Sequence, residues 1–127
     1  MSALLWIRVA ALLGGLSVAA GAFGAHSLKD KLEPRMLENF QTGATYQMTH
    51  ALALLAVGVL LSLSPRPAPA LNLAAWAFFV GILLFSGSLY ALALSGITKL
   101  GAVTPLGGVA FLVGWIALAV GATRTTS

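Results

Sequence analysis

The side chains able to move a proton, hold a metal or grip a polar ligand are few: two histidines, His26 and His50, and two tyrosines, Tyr46 and Tyr90. Histidine titrates near neutrality and can donate through one ring nitrogen while accepting through the other. Spacing groups these residues with other polar ones. Thr42, Tyr46 and His50 recur every four residues, with Gln47 at the edge of the same face. Ser86 and Tyr90 are also four apart, and Thr104 stands just before Pro105. Two histidines fall short of the three or four ligands a metal site needs, and there are no cysteines, so no metal or cofactor is expected. No acid is placed to orient either histidine, so no nucleophile–base–orienter set forms and no catalytic residue is named. A proton path would have to run through His26, His50, tyrosine and water. The plainer alternative is an internal hydrogen-bond network.

The elements that must carry these groups follow from composition. Of 127 residues, 59% are hydrophobic and 8% charged, against about a quarter charged in a soluble domain. So few charges cannot coat a water-facing surface, and such hydrophobicity excludes disorder. The net charge of +4 comes from scattered residues with no basic stripe, so nucleic acid is not an expected partner. The lipid bilayer is.

The charges are Arg8, Lys29, Asp30, Lys31, Glu33, Arg35, Glu38, Arg66, Lys99 and Arg124. Between them lie charge-free runs at 9–28, 39–65, 67–98 and 100–123. Each suffices for one helical crossing of a hydrocarbon core about 30 Å thick, which takes about 20 residues, and none for two. Lipid satisfies no backbone groups, so each run is expected to be a helix. The reading is an all-α membrane protein, one domain over 1–127, with spans near 4–25, 44–63, 72–95 and 103–122 in a compact antiparallel bundle.

The connections agree. Pro65, Pro67 and Pro69 enforce a stiff turn, Gly96 and Gly101 close the third span, and Pro105 suits the first turn of the fourth. The first connection holds six of the charges. After Pro34, Met36, Leu37 and Phe40 oppose Arg35, Glu38, Asn39 and Gln41, the pattern of a short amphipathic helix lying at the interface. Ala20-Gly21-Ala22 can be read as a signal-peptide cleavage site. The small residues begin too early for that, at Gly14, so the first helix is expected to be retained.

Small residues let membrane helices approach closely. Ala10, Gly14, Ser17, Gly21 and Gly24 in the first span, and Gly107, Ala110, Gly114, Ala117 and Gly121 in the fourth, recur at steps of three and four. Sparser seams run through Ala44, Ala51 and Gly58, and through Ala74, Ala77, Gly81, Ser88, Ala91 and Ser95. A 3.5-residue repeat keeps a stripe facing its partner in a left-handed supercoil. Trp115 reads as a packing residue, and Trp6 and Trp76 as interfacial belt residues. Antiparallel topology places His26, Tyr46, Gln47, His50, Ser86, Tyr90 and Thr104 in one leaflet, with His50 facing the third helix.

Several motifs also resemble a known family. Gly21-Ala22-Phe23-Gly24-Ala25-His26 with Leu28, then Gln41-Thr42-Gly43 through Tyr46-Gln47 to His50-Ala51-Leu52-Ala53, match its first half. Leu84-Phe85-Ser86-Gly87-Ser88-Leu89-Tyr90 with Leu92-Ala93-Leu94, then Thr104-Pro105-Leu106-Gly107-Gly108 and Gly114-Trp115, match its second. The chain is similar along nearly its whole length to the DUF423 family of small four-span membrane proteins. The resemblance implies a multi-pass protein of the bacterial inner membrane, related to a eukaryotic transmembrane group, and implies no activity. Relatives tend to be basic in the second loop and C-terminal tail, which implies cytoplasmic termini. This chain has only Arg66 and Arg124 there.

The expected function is therefore non-enzymatic, with the polar cluster shaping a shallow site for a lipid headgroup, a small polar ligand or a partner helix. The alternatives are a small proton-coupled transporter subunit and a structural accessory of a membrane complex. A second copy or another membrane protein is a possible partner.

Overall fold

A computed structural model describes residues 2–125, with side chains through Ala122; the side chain of Arg124, one of the charges counted above, lies outside the described residues. The four charge-free runs become four helices: α1 (Ala3–His26), α2 (Pro34–Leu63), α3 (Pro69–Ser95) and α4 (Thr104–Thr125). A short 3-10 turn, Thr98–Ala102, leads into α4. Among the described residues there are no strands. All four segments are long and apolar enough to cross a membrane.

Local chemistry sets the boundaries. The Ser2 hydroxyl caps α1 by accepting from Leu5 N–H at 3.2 Å. Pro34 and Pro69 sit in the first turns of α2 and α3, where the missing N–H costs nothing. Gly96 ends α3 in the left-handed region, φ +74°, and its N–H reaches back to Leu92 O at 2.8 Å. A side chain there would strain the backbone.

The expected interfacial helix is not a separate element. Its residues are the opening turns of α2, which runs unbroken for 30 residues. Nothing after Pro34 stops it: Gly43 alone is too weak a breaker, and no proline follows until Pro65. At 1.5 Å per residue the helix measures about 45 Å, longer than the hydrocarbon core, so its first turns stand outside it. Nor does its apolar side lie on lipid. Leu32, Met36 and Leu37 close over Leu28, Phe40 and Ala93, making a small second core that caps the ends of α1, α2 and α3.

The helices pack in chain order, α1 on α2, α2 on α3 and α3 on α4. α2 and α4 meet at only a few positions, and α1 and α4 lie at opposite ends of the row. The α3–α4 contact is an interlock of sevens. Phe85, Phe78 and Leu71 descend α3 against Gly107, Gly114 and Gly121 on antiparallel α4, and Phe111 returns onto Gly81. A Cβ built on Gly114 would lie 2.6 Å from the Phe78 ring. The seams of α3 and α4 are thus the floors on which large side chains rest. In the α3 seam, however, Ala91 and Ser95 are exposed.

The α1 seam behaves differently. Ala10, Ser17 and Gly24 are buried, with Gly24 receiving the Phe40 ring, but Gly14, Gly15 and Gly21 meet nothing within 4 Å. The expectation that Gly21 is a packing contact is corrected: the wide Phe40 side chain props this end of α1 away from α2. At the other end the helices close, with Ile7 against Gly58.

Trp6 is not a belt residue. It is fully buried in the main core with Leu54, Val57, Leu71 and Phe78. Its indole N–H has no hydrogen-bond partner, and its ring meets Trp76 edge to face, centroids 5.0 Å apart at 86°. Trp76 is the exposed member of that pair.

Candidate functional site

The polar residues singled out by spacing do meet, but as three separate ties and two outliers. The first tie centres on Gln47, which is buried. Its amide donates to Leu13 O on α1 at 2.8 Å, and its carbonyl accepts from the Tyr90 hydroxyl on α3 at 2.7 Å. One side chain thereby joins three helices. Tyr90 reaches it across Gly43, where a Cβ would sit 2.9 Å from the tyrosine ring. One turn away on α3, the Ser86 hydroxyl donates to Gly43 O at 2.7 Å, buried between α2 and α3.

The second tie is His50. One ring nitrogen, Nδ1, lies 2.8 Å from Tyr46 O on its own helix, and the other, Nε2, accepts from the Trp115 indole N–H at 3.1 Å. A carbonyl can only accept, so Nδ1 carries the proton and the imidazole is neutral with both nitrogens engaged. The ring stacks on Phe111, centroids 3.5 Å apart at 7°. This corrects two expectations: His50 faces α4 rather than α3, and Trp115 is its hydrogen-bond donor as well as a packing residue. Helix geometry supplies the reason. Three residues turn about 300°, so Gln47 and His50 diverge by about 60°, enough to send them to different neighbours.

In the third tie Thr104 pairs with Ser88 at 2.6 Å, joining the start of α4 to α3 and not to the other polar residues. The outliers are Tyr46 and His26. The Tyr46 ring lies over Phe85 at 4.5 Å, yet the residue is 43% exposed on the outer face. His26 is exposed at the end of α1, and among the described residues no hydrogen bond or ring contact joins it to the rest. Ser86, Gln47 and Tyr90 thus share one neighbourhood, His50 a second, Thr104 a third. No group of three or more metal-ligating side chains occurs among the described residues.

One feature escaped the spacing argument. Between α1 and α2, on the side away from α3, lies an open groove of about 580 Å³ lined by Ser17, Gly21, Gln41, Ala44, Thr45, Met48 and Thr49. The signal for it was the stripe Gln41, Thr45 and Thr49, again at steps of four, one position behind the stripe that drew attention.

This geometry coincides with the motif positions. The family described as "Protein of unknown function (DUF423)" matches residues 20–108, from the last turns of α1 to the first of α4. The chain belongs to the DUF423 family. A UPF0382 membrane protein of Staphylococcus saprophyticus is 46% identical over 91% of this chain and 94% of its own length. The UPF0382 membrane protein YwdK of Bacillus subtilis is 46% identical over 86% of this chain and 88% of its own. One from Haemophilus influenzae is 44% identical over 96% of both. No solved structure matches. As in the rest of the DUF423 family, the activity is unknown; this is a multi-pass membrane protein with four apolar helices packed on one another.

Proposed function

We propose that the protein is a non-enzymatic binding module of the bacterial plasma membrane, in which the polar residues fix the helices and the binding surface lies on the outer faces. One observation carries the reading: Gln47, His50, Ser86 and Tyr90 all spend their hydrogen bonds on one another, on Trp115 or on backbone carbonyls. Such a network is complete without a ligand. A half-satisfied one would be costly in lipid, so a site that opens and closes around these groups would need a replacement for each bond. The neutral, stacked His50 and the large rings filling glycine floors also weigh against a proton path through the centre.

Proton flux tests this reading. Proteoliposomes carrying a pH-sensitive dye are expected to leak no faster than empty vesicles under an imposed gradient. A flux abolished by His50→Gln would overturn the reading in favour of a proton-coupled subunit. For orientation, we place both termini in the cytoplasm, supported by Arg8 and Arg66 on the terminal side with no acidic residue beside them, whereas the opposite side mixes Lys29, Lys31, Arg35 and Lys99 with three acids. An alkaline-phosphatase fusion after Ser127 should be inactive. Activity of that fusion would reverse the orientation.

A further inference from the structure

Glycines in this protein are mostly filled. Rings or branched side chains rest on Gly24, Gly43, Gly58, Gly81, Gly107, Gly114 and Gly121, while Gly21 is an open floor beside a groove with polar walls. Ser17 is self-satisfied, donating to Gly14 O at 2.7 Å, and Thr49 donates to Thr45 O at 3.1 Å. The Gln41 amide and the Thr45 hydroxyl are exposed and make no hydrogen bond within the described residues. They are polar groups held open toward the bilayer.

Position says what meets them. The groove begins where α2 leaves the first connection and ends at Thr49, eight residues on, about 12 Å along the helix axis. That is about the depth of one leaflet, half of a core about 30 Å thick. Beyond it α1 and α2 close on each other through Ile7 and Gly58. Polar donors and acceptors therefore lie at the mouth, near the interface, with Gly21, Ala44 and Met48 deeper. A transmembrane helix crosses both leaflets and would be seated over only half its length. A glycerophospholipid has the matching order of chemistry, ester carbonyls and glycerol oxygens above an acyl chain.

We infer that the α1/α2 groove is a binding site for one glycerophospholipid, its ester region held by Gln41 and Thr45 and one acyl chain lying over Gly21, Ala44 and Met48. The inference rests on the reading above, in which the buried network is a scaffold and the outer face does the binding. Gln41 supplies both a donor and an acceptor, and Thr45 a hydroxyl that can do either. Bilayer lipid reaches the groove sideways, since it is open along its length.

The test uses the full chain extracted in mild detergent, with dioleoyl phosphatidylglycerol and dioleoyl phosphatidylethanolamine as probes and native mass spectrometry as readout. One phospholipid per chain is expected to survive delipidation. Gly21→Phe should plug the groove, leave thermal unfolding of the lipid-free protein unchanged and abolish that retained lipid. The pair Gln41→Leu and Thr45→Val should weaken retention about tenfold, the equivalent of about 1.4 kcal/mol for the lost hydrogen bonds. Equal retention by wild type and Gly21→Phe would overturn the site, as would a broad ladder of bound lipids with no preferred count. A dimer in bilayers, cross-linked through Thr45→Cys and dispersed by Gly21→Phe, would replace the lipid by a second copy of the chain. If instead Gln47→Leu or His50→Gln abolishes lipid retention in a folded protein while Gly21→Phe does not, the scaffold reading itself fails.

Discussion

Tyr90→Phe deletes one hydroxyl and leaves the Gln47 carbonyl buried without its donor. Hydrogen bonds between membrane helices average about 0.6 kcal/mol, with about 1–2 kcal/mol for the costlier cases, and the loss of a buried partner belongs at the upper end. Gln47→Leu cuts both ends of the tie, to Leu13 O and to Tyr90, and should destabilise by at least as much. Reversible unfolding in mixed micelles would check both, and parent-like stability in either variant would mean that the tie contributes nothing. His50→Gln is a different case. An amide can donate and accept, but it cannot reproduce the stack on Phe111 at 3.5 Å. A loss of about 1 kcal/mol is expected, within the range for aromatic pairs. Trp115→Phe should redden nothing else in the emission spectrum but remove the one indole bonded to His50, so the difference spectrum isolates that bond for titration or quenching.

At the scale of helices the glycines separate into two classes that look alike in sequence. Gly107 faces the Phe85 backbone, which has no rotamer to yield, so Gly107→Ala should cost about 1–3 kcal/mol, as overpacked sites do. Gly114→Leu should be worse, since its floor carries the Phe78 ring. Gly14→Leu and Gly21→Leu meet open space and should change stability by no more than about 0.5 kcal/mol, the usual range for surface substitutions. Melting the four variants side by side in one detergent checks the contrast. Equal losses at Gly21 and Gly114 would mean that α1 is packed as tightly as α4.

Over the whole molecule, the row of helices leaves α1 and α4 with broad apolar faces. Leu12, Leu16, Leu106, Leu112 and Ile116 are among the exposed large side chains. In water such a surface would aggregate; in a bilayer it is the solvated one. Four crossings also fix which loops share a side. Single cysteines placed by Lys29→Cys and Lys99→Cys should react with an impermeant maleimide from one side of sealed vesicles, and Ser64→Cys from the other. Labelling of all three from one side would break the four-span topology.

The sequence alone determined the four crossings, because ten charges leave only four long gaps and lipid permits only helices across them. It determined the glycine floors of α4, where a step of seven on one helix must find a step of seven on its neighbour. It also pointed to Gln47, His50, Ser86 and Tyr90, since polar groups in lipid must be spent on something. What each was spent on was decided by tertiary structure. A rotation of about 60° between Gln47 and His50 chooses α3 for one and α4 for the other, and periodicity carries no information about which neighbour stands at which angle. Trp115 reads as apolar filler until an acceptor is placed 3.1 Å from its nitrogen. The open glycines of α1 match the filled ones of α4 in spacing. Only the bulk of Phe40, wedged on Gly24 from another helix, holds the groove beside Gly21 apart.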